Sequence, residues 1–223
     1  MALRTNQLVA VKTTDLQSHS TELIDKFARE ISILQQIRSR NVINILDSFM
    51  LEGHQITVVE ICVDPLKIFD ERPNERQILT KNILFDLMLA LKQLQKHNVV
   101  HRDIKMDNFM FREENGQLIA KVMDINCSRV NCEENVVLNL SNLYTCAPEC
   151  LVVKNPPYSA ASDLWSVGIV VYELATQANP YAEITTTALL AGDVNDISLA
   201  EGVDPVIKEI VKKILVVDIE QRT

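Results

Sequence analysis

The sequence predicts an α+β fold: a short, strand-rich opening that carries one helix, then a mainly helical remainder. Three observations predict it. Before residue 60, apolar residues fall in short alternating runs at 7–11, 43–49 and 55–59, the last two separated by the turn Glu52-Gly53-His54. Beyond it, they recur every three or four positions over 74–97 and 205–215 and surround almost the whole circumference of 160–176. Between those helices, Asn115-Gly116 separates Phe109-Met110-Phe111 from 118–123, a strong hairpin signal.

Each element has its own cause. Leu8, Val9 and Val11 make a strand expected to end on the charge of Lys12. Leu23, Phe27, Ile31, Leu34 and Ile37 form one face of an amphipathic helix over 21–37. Leu79, Ile83, Leu84, Leu87, Leu91 and Leu94 do the same for a helix over 74–97, with Asn98 as its left-handed stop. The stretch 160–176 is apolar around nearly its whole circumference and so belongs in the middle of a core. Asp204-Pro205 reads as a cap followed by a proline in the first turn of a last helix.

Composition excludes several classes. At 223 residues the chain can bury roughly 70 to 75 per cent of its unfolded surface, enough for one large domain or two small lobes. A net charge of −8 argues against nucleic acid or an anionic membrane as the main partner. The sequence has no run of 18 apolar residues, and a cytosolic or nuclear location follows as the default. Five cysteines, Cys62, Cys127, Cys132, Cys146 and Cys150, make an odd set without a CxxC pair, which fits a reducing compartment and reads as unrelated thiols rather than a zinc site.

The chemistry concentrates in His101-Arg102-Asp103-Ile104-Lys105-Met106-Asp107-Asn108. Within these residues Asp103 can take a hydroxyl proton, Lys105 can neutralise charge on a transferring phosphate, and Asn108 can hold a metal ion by its carbonyl oxygen. The spacing HRDxKxxN resembles the catalytic loop of eukaryotic protein kinases, and further stretches resemble that family in order. Val9-Ala10-Val11-Lys12 looks like the strand that carries the phosphate-binding lysine, and Glu30, 18 residues on, looks like the helix glutamate that pairs with it. Asp124-Ile125-Asn126 stands 21 residues after Asp103, where the family has Asp-Phe-Gly. Ala147-Pro148-Glu149 looks like the end of the activation segment, with Arg222 matching the arginine that pairs with the glutamate. Asp163 matches the aspartate that anchors the backbone of the catalytic loop.

The resemblance implies a bilobal fold: a small lobe over 1–60, with a shortened antiparallel sheet, one helix and an incomplete start, and a mainly helical large lobe over 61–223. It implies ATP and Mg²⁺ as cofactors, with Asp124 and Asn108 as metal ligands. The adenine would lie between Ala10 and Met110 and bond the backbone of a hinge running from Glu60 through Cys62 to Val63, with Val59 setting the depth of the pocket. Lys105 points to a serine/threonine kinase acting on a protein substrate. Arg102 would be neutralised by phosphate on Ser128, Ser141, Tyr144 or Thr145, or by the charges of Glu133 and Glu134. No glycine precedes Gly53, so the Gly-rich loop expected before Lys12 is missing; the chain reads as a fragment of a longer kinase or a reduced protein, with weak Mg-ATP binding and poor turnover. The alternative is a pseudokinase that scaffolds or regulates a protein partner.

Overall fold

The computed structural model describes residues 8–17, 19–123, 129–130, 143–151, 158–182, 184–185, 187–188 and 201–222, without the side chains of 22, 23, 26, 27, 29, 30, 33, 129 and 130. In the small lobe, β1 (Val9–Asp15), β2 (Ile45–Leu51) and β3 (His54–Glu60) form an antiparallel sheet in the order β1-β3-β2. Glu52 and Gly53, both at positive φ (50° and 79°), are the two-residue turn between β2 and β3, the twist that suits a tight hairpin. Helix α1 (Thr21–Gln36) buries Ile31 and Leu34. One expectation is corrected here. The first strand does not end at Lys12 but continues through Thr13 and Thr14 to Asp15, because β3 offers His54, Gln55 and Ile56 as further partners.

The large lobe is built on helices. Helix α2 (Pro65–Glu71), not anticipated from the sequence, starts as the last helix does: Asp64 accepts the Leu66 N–H at 2.8 Å and a proline occupies the first turn. A single 3₁₀ turn, Pro73–Glu75, leads into α3 (Arg76–Lys96), two residues later than expected from the apolar period. Asn98 then turns left-handed at φ 55°. Strand β4 (Val99–Val100) pairs with β7 (Arg129–Val130), and β5 (Phe109–Glu114) pairs with β6 (Gln117–Val122) around Asn115 and Gly116 as predicted.

Past the short α4 (Pro148–Leu151), α5 (Ala160–Thr176) runs through the centre, packed against α3 and α6 (Pro205–Ile214). Val167, Ile169, Val170 and Val171 are all 0% exposed, as the all-round apolar sequence requires. Gly168 sets how closely α5 and α6 approach: a Cβ there would stand 2.7 Å from both Ile214 Cγ2 and Leu215 Cδ2.

The two lobes share one core, in which Ile43 and Ile45 meet Phe109 and Val122. Backbone bonds tie them as well, Ile43 N–H to Val122 O at 2.9 Å and Val122 N–H to Asn41 O at 2.8 Å, while a reciprocal pair between Val63 and Phe111 holds the start of the large lobe to β5. Among the described residues no helix is long and apolar enough to cross a membrane.

Candidate functional site

The loop after β4 is held from below. Asp163, one turn into α5 and 2% exposed, accepts the backbone N–H of His101 at 2.7 Å and of Arg102 at 2.8 Å. Burial pushes its carboxyl up, opposed by His101 and by these two bonds. A carboxylate this deep must have partners, and the anchoring role expected for Asp163 is the one it fills. Arg102 takes a left-handed backbone (φ 69°), uncommon for a residue with a side chain, and so the two anchoring bonds bracket a strained turn. His101 Nδ1 accepts the N–H of Asp103 at 3.3 Å while Nε2 donates to Met123 O at 2.8 Å, joining the loop to the end of β6.

Asp103, Lys105 and Asn108 are brought together within this turn. The Asn108 amide nitrogen donates at 2.7 Å both to Asp103 O and to Asp103 Oδ2, and the Lys105 ammonium stands 3.1 Å from Asp103 Oδ1. Asp103 and Asn108 are both buried. The amide nitrogen is committed to these two bonds, which leaves the Asn108 carbonyl oxygen as the atom that could hold a hard cation.

Above the loop, a cleft of about 230 Å³ opens between the lobes. Its roof is explained by strand register. Ala10 faces Val59 and Lys12 faces Thr57 across β1 and β3, so these four alternate residues share one face of the sheet. Ile31 and Leu34 of α1 close the back, and Asp107, Asn108 and Met123 form the floor. Met110, Glu60 and Cys62 do not line this cleft: Met110 alternates with the buried Phe109 and Phe111 and lies across from Lys121. Asp124, which follows Met123 in the sequence, lies outside the described residues, and so does the side chain of Glu30.

An ion network not anticipated from the sequence surrounds Glu60 at the end of β3. Glu60 and Lys121, each 4% exposed in the side chain, pair at 3.0 Å, and Arg112 binds the other oxygen of Glu60. Glu60 also accepts the Asn44 N–H at 2.8 Å. Glu114 extends the network from Lys121 and Arg112 to Arg40, at 3.0 Å from the last. Burial, with the Glu60 charge, pushes the Cys62 thiol up to about 11. The available signal was Lys121 itself, a lone charge in the apolar run 118–123, since a lysine in such a place needs a buried acid. A double-mutant cycle of Glu60→Gln and Lys121→Met is expected to give a coupling of about 2 kcal/mol in urea unfolding. A coupling near zero would mean that the two charges do not support each other.

At the far end of the large lobe, Glu149 and Arg222 form a two-pronged pair at 2.7 and 3.0 Å, as anticipated. Arg222 also donates to Ala161 O at 2.9 Å and Val216 O at 3.0 Å, and its guanidinium lies 4.9 Å from the centre of the Trp165 ring. Burial would raise the Glu149 carboxyl, but the bond from Arg222 and its charge, helped by Ser162, hold it below the usual range. The Arg102 guanidinium lies over the Tyr158 ring at 5.3 Å. Of the hydroxyls and acids proposed to act on Arg102, Tyr144 and Thr145 are described, whereas Ser128, Ser141, Glu133 and Glu134 lie outside the described residues.

Comparison with known proteins gives a consistent picture. The family model described as "Protein kinase domain" matches residues 1–223. Serine/threonine-protein kinase STY46 of Arabidopsis thaliana is 27% identical over 85% of this chain and 33% of its own length. Serine/threonine-protein kinase 36 of Pongo abelii is 28% identical over 97% of this chain and 16% of its own, and serine/threonine-protein kinase TIO of Arabidopsis thaliana 30% identical over 86% and 14%. The chain therefore spans at most a third of the length of these relatives.

Proposed function

The chain belongs to the protein kinase family, and on that premise we propose that it transfers the γ-phosphoryl of Mg-ATP to serine or threonine hydroxyls of a protein substrate. The observation that carries this reading is Asn108, which both lines the cleft and bonds Asp103, so that a nucleotide in the cleft would have its terminal phosphate near the carboxylate. Asp103 accepts the proton of the attacking hydroxyl. Lys105, already 3.1 Å from that carboxylate, offsets charge on the group in transit.

Asn108 through its carbonyl oxygen, with Asp124, is the donor set suited to Mg²⁺, which would neutralise the phosphate charge. Lys12, on the roof of the cleft, contacts the phosphates with Glu30 as its partner. The base lies against Ala10 and Val59, with the backbone of Glu60 and Cys62 as the hinge. The similarity to kinases named for serine and threonine, together with Lys105 two residues past Asp103, supports the choice of acceptor.

Titration of the 223-residue chain with Mg-ATP by calorimetry, beside a radiolabel transfer assay on a generic serine/threonine substrate, tests the proposal. Binding that weakens at least about tenfold in Lys12→Ala, together with measurable transfer, is the expected result. Binding without transfer would assign the fold to a regulatory, pseudokinase role, and no binding would remove the nucleotide from the reading.

A further inference from the structure

Two thiols that phosphoryl transfer does not use meet at the start of α4. Cys146 is half-buried and Cys150 is 0% exposed; both are free thiols, in hydrogen-bonding contact with each other. The cause is local: the Cys150 N–H donates to Ala147 O at 2.9 Å, a turn that folds residue 150 back over 146. Each sulfur also meets a hydroxyl. Cys146 lies 3.8 Å from the Tyr158 oxygen, and the Cys150 thiol donates to Ser162 Oγ at 3.4 Å.

The two sulfurs differ in access and acidity. A void of about 10 Å³, comparable to one water, opens beside Cys146 and is also lined by Arg102, Thr145 and Tyr158. Contact with the Cys150 thiol, supported by the Tyr158 hydroxyl and opposed by burial, draws the Cys146 thiol down, whereas that contact and burial drive Cys150 up. A half-buried thiol that lines a void, backed by a fully buried thiol four residues on, is the arrangement of a redox-active pair.

We propose that Cys146 and Cys150 are a redox modification site, closing to a reversible disulfide under a peroxide, with Cys146 the attacking and Cys150 the resolving sulfur. The Cys146 thiolate attacks one peroxide oxygen and the O–O bond breaks. Cys146 becomes a sulfenic acid, and the departing hydroxide, favoured by the nearby Arg102 cation, takes up the proton that Cys146 had released and leaves as water. The Cys150 sulfur then displaces the sulfenic hydroxyl, which leaves with the Cys150 proton as a second water. Two electrons pass from the sulfurs to the peroxide, and a dithiol reductant reverses the bond by exchange. Ser162, which Cys150 releases on closing, donates to Glu149 at 3.1 Å, so the bridge acts directly on the segment held by Arg222.

The test uses the full chain, treated with hydrogen peroxide, alkylated, and mapped by mass spectrometry without reduction. Residues 130–154 form one tryptic peptide holding Cys132, Cys146 and Cys150. The expected product carries an alkyl group on Cys132 and lacks two hydrogens between 146 and 150, and dithiothreitol restores them. In Cys150→Ser, dimedone is expected to capture a sulfenic acid at Cys146, whereas Cys146→Ser should leave Cys150 unmodified. A bridge to Cys132 or Cys127, no bridge, or a dimedone label on Cys150 would overturn the assignment. The mapping of the unmodified sequence stands whether or not either variant folds.

Discussion

Replacing Asp103 with asparagine is expected to lower phosphotransfer by at least about a hundredfold while changing Mg-ATP affinity by less than about threefold. The substitution keeps the shape of the side chain and an oxygen for the Asn108 amide, which now bonds Asp103 Oδ2 at 2.7 Å. It removes the proton acceptor and sets an amide, which carries no charge, beside the Lys105 ammonium that now stands 3.1 Å from a carboxylate. Asp103 is not among the residues that line the cleft, so nucleotide affinity is insulated from the change. Single-turnover transfer and calorimetry on the same preparation separate the two quantities. Transfer within a few fold of the parent chain would remove Asp103 from the mechanism, and a parallel loss of affinity would mean that the loop, not the proton acceptor, had been damaged.

Arg222→Ala is expected to destabilise the chain by about 3 to 5 kcal/mol, since it leaves the partner carboxylate in the interior without its cation. The side chain of Arg222 is 0% exposed and that of Glu149 17%. The loss includes the bonds to Ala161 O and Val216 O and the contact with Trp165. For a chain of this size the melting temperature should fall by roughly 10 °C. The same pair sets an acid limb. Because Glu149 ionises at lower pH in the folded state than in the unfolded chain, its contribution is fully present above the ordinary glutamate range and is lost as pH falls through the depressed folded value. The difference between parent and variant should therefore hold steady near neutral pH and narrow only as pH falls below the ordinary glutamate range. Equal melting at neutral pH, or a difference unchanged in acid, would contradict the ion-pair account.

What was legible in the sequence differs between elements for physical reasons. Helix α5 could be read to the residue, because a seventeen-residue stretch apolar around nearly its whole circumference is best satisfied as a buried helix. The turns at Asn98 and Asn115-Gly116 were equally clear, since few residues accept a left-handed backbone. Helix α2 escaped notice although Asp64-Pro65 carries the same start signal as Asp204-Pro205: its seven residues are too few for an apolar period to stand out. The first strand was cut short at Lys12 because its continuation depends on a partner, β3, and not on its own alternation.

The same division runs through the site. The sequence alone determined the meeting of Asp103, Lys105 and Asn108, because residues two to five apart on one tight turn have no other place to go. It also determined, through the order of motifs, that Asp163 and Glu149 would need partners. With 30 acidic and 22 basic side chains, however, pairing is not a local property, and only the tertiary structure decided that Lys121 meets Glu60 across 61 positions. The cleft is of the same kind: Ala10 and Val59 share its roof through strand register, and Asn108 and Met123 form its floor through the common core of the two lobes. Contacts within a turn follow from chain geometry, whereas contacts between distant segments follow from which apolar faces must be buried together, and that is settled by the whole chain at once.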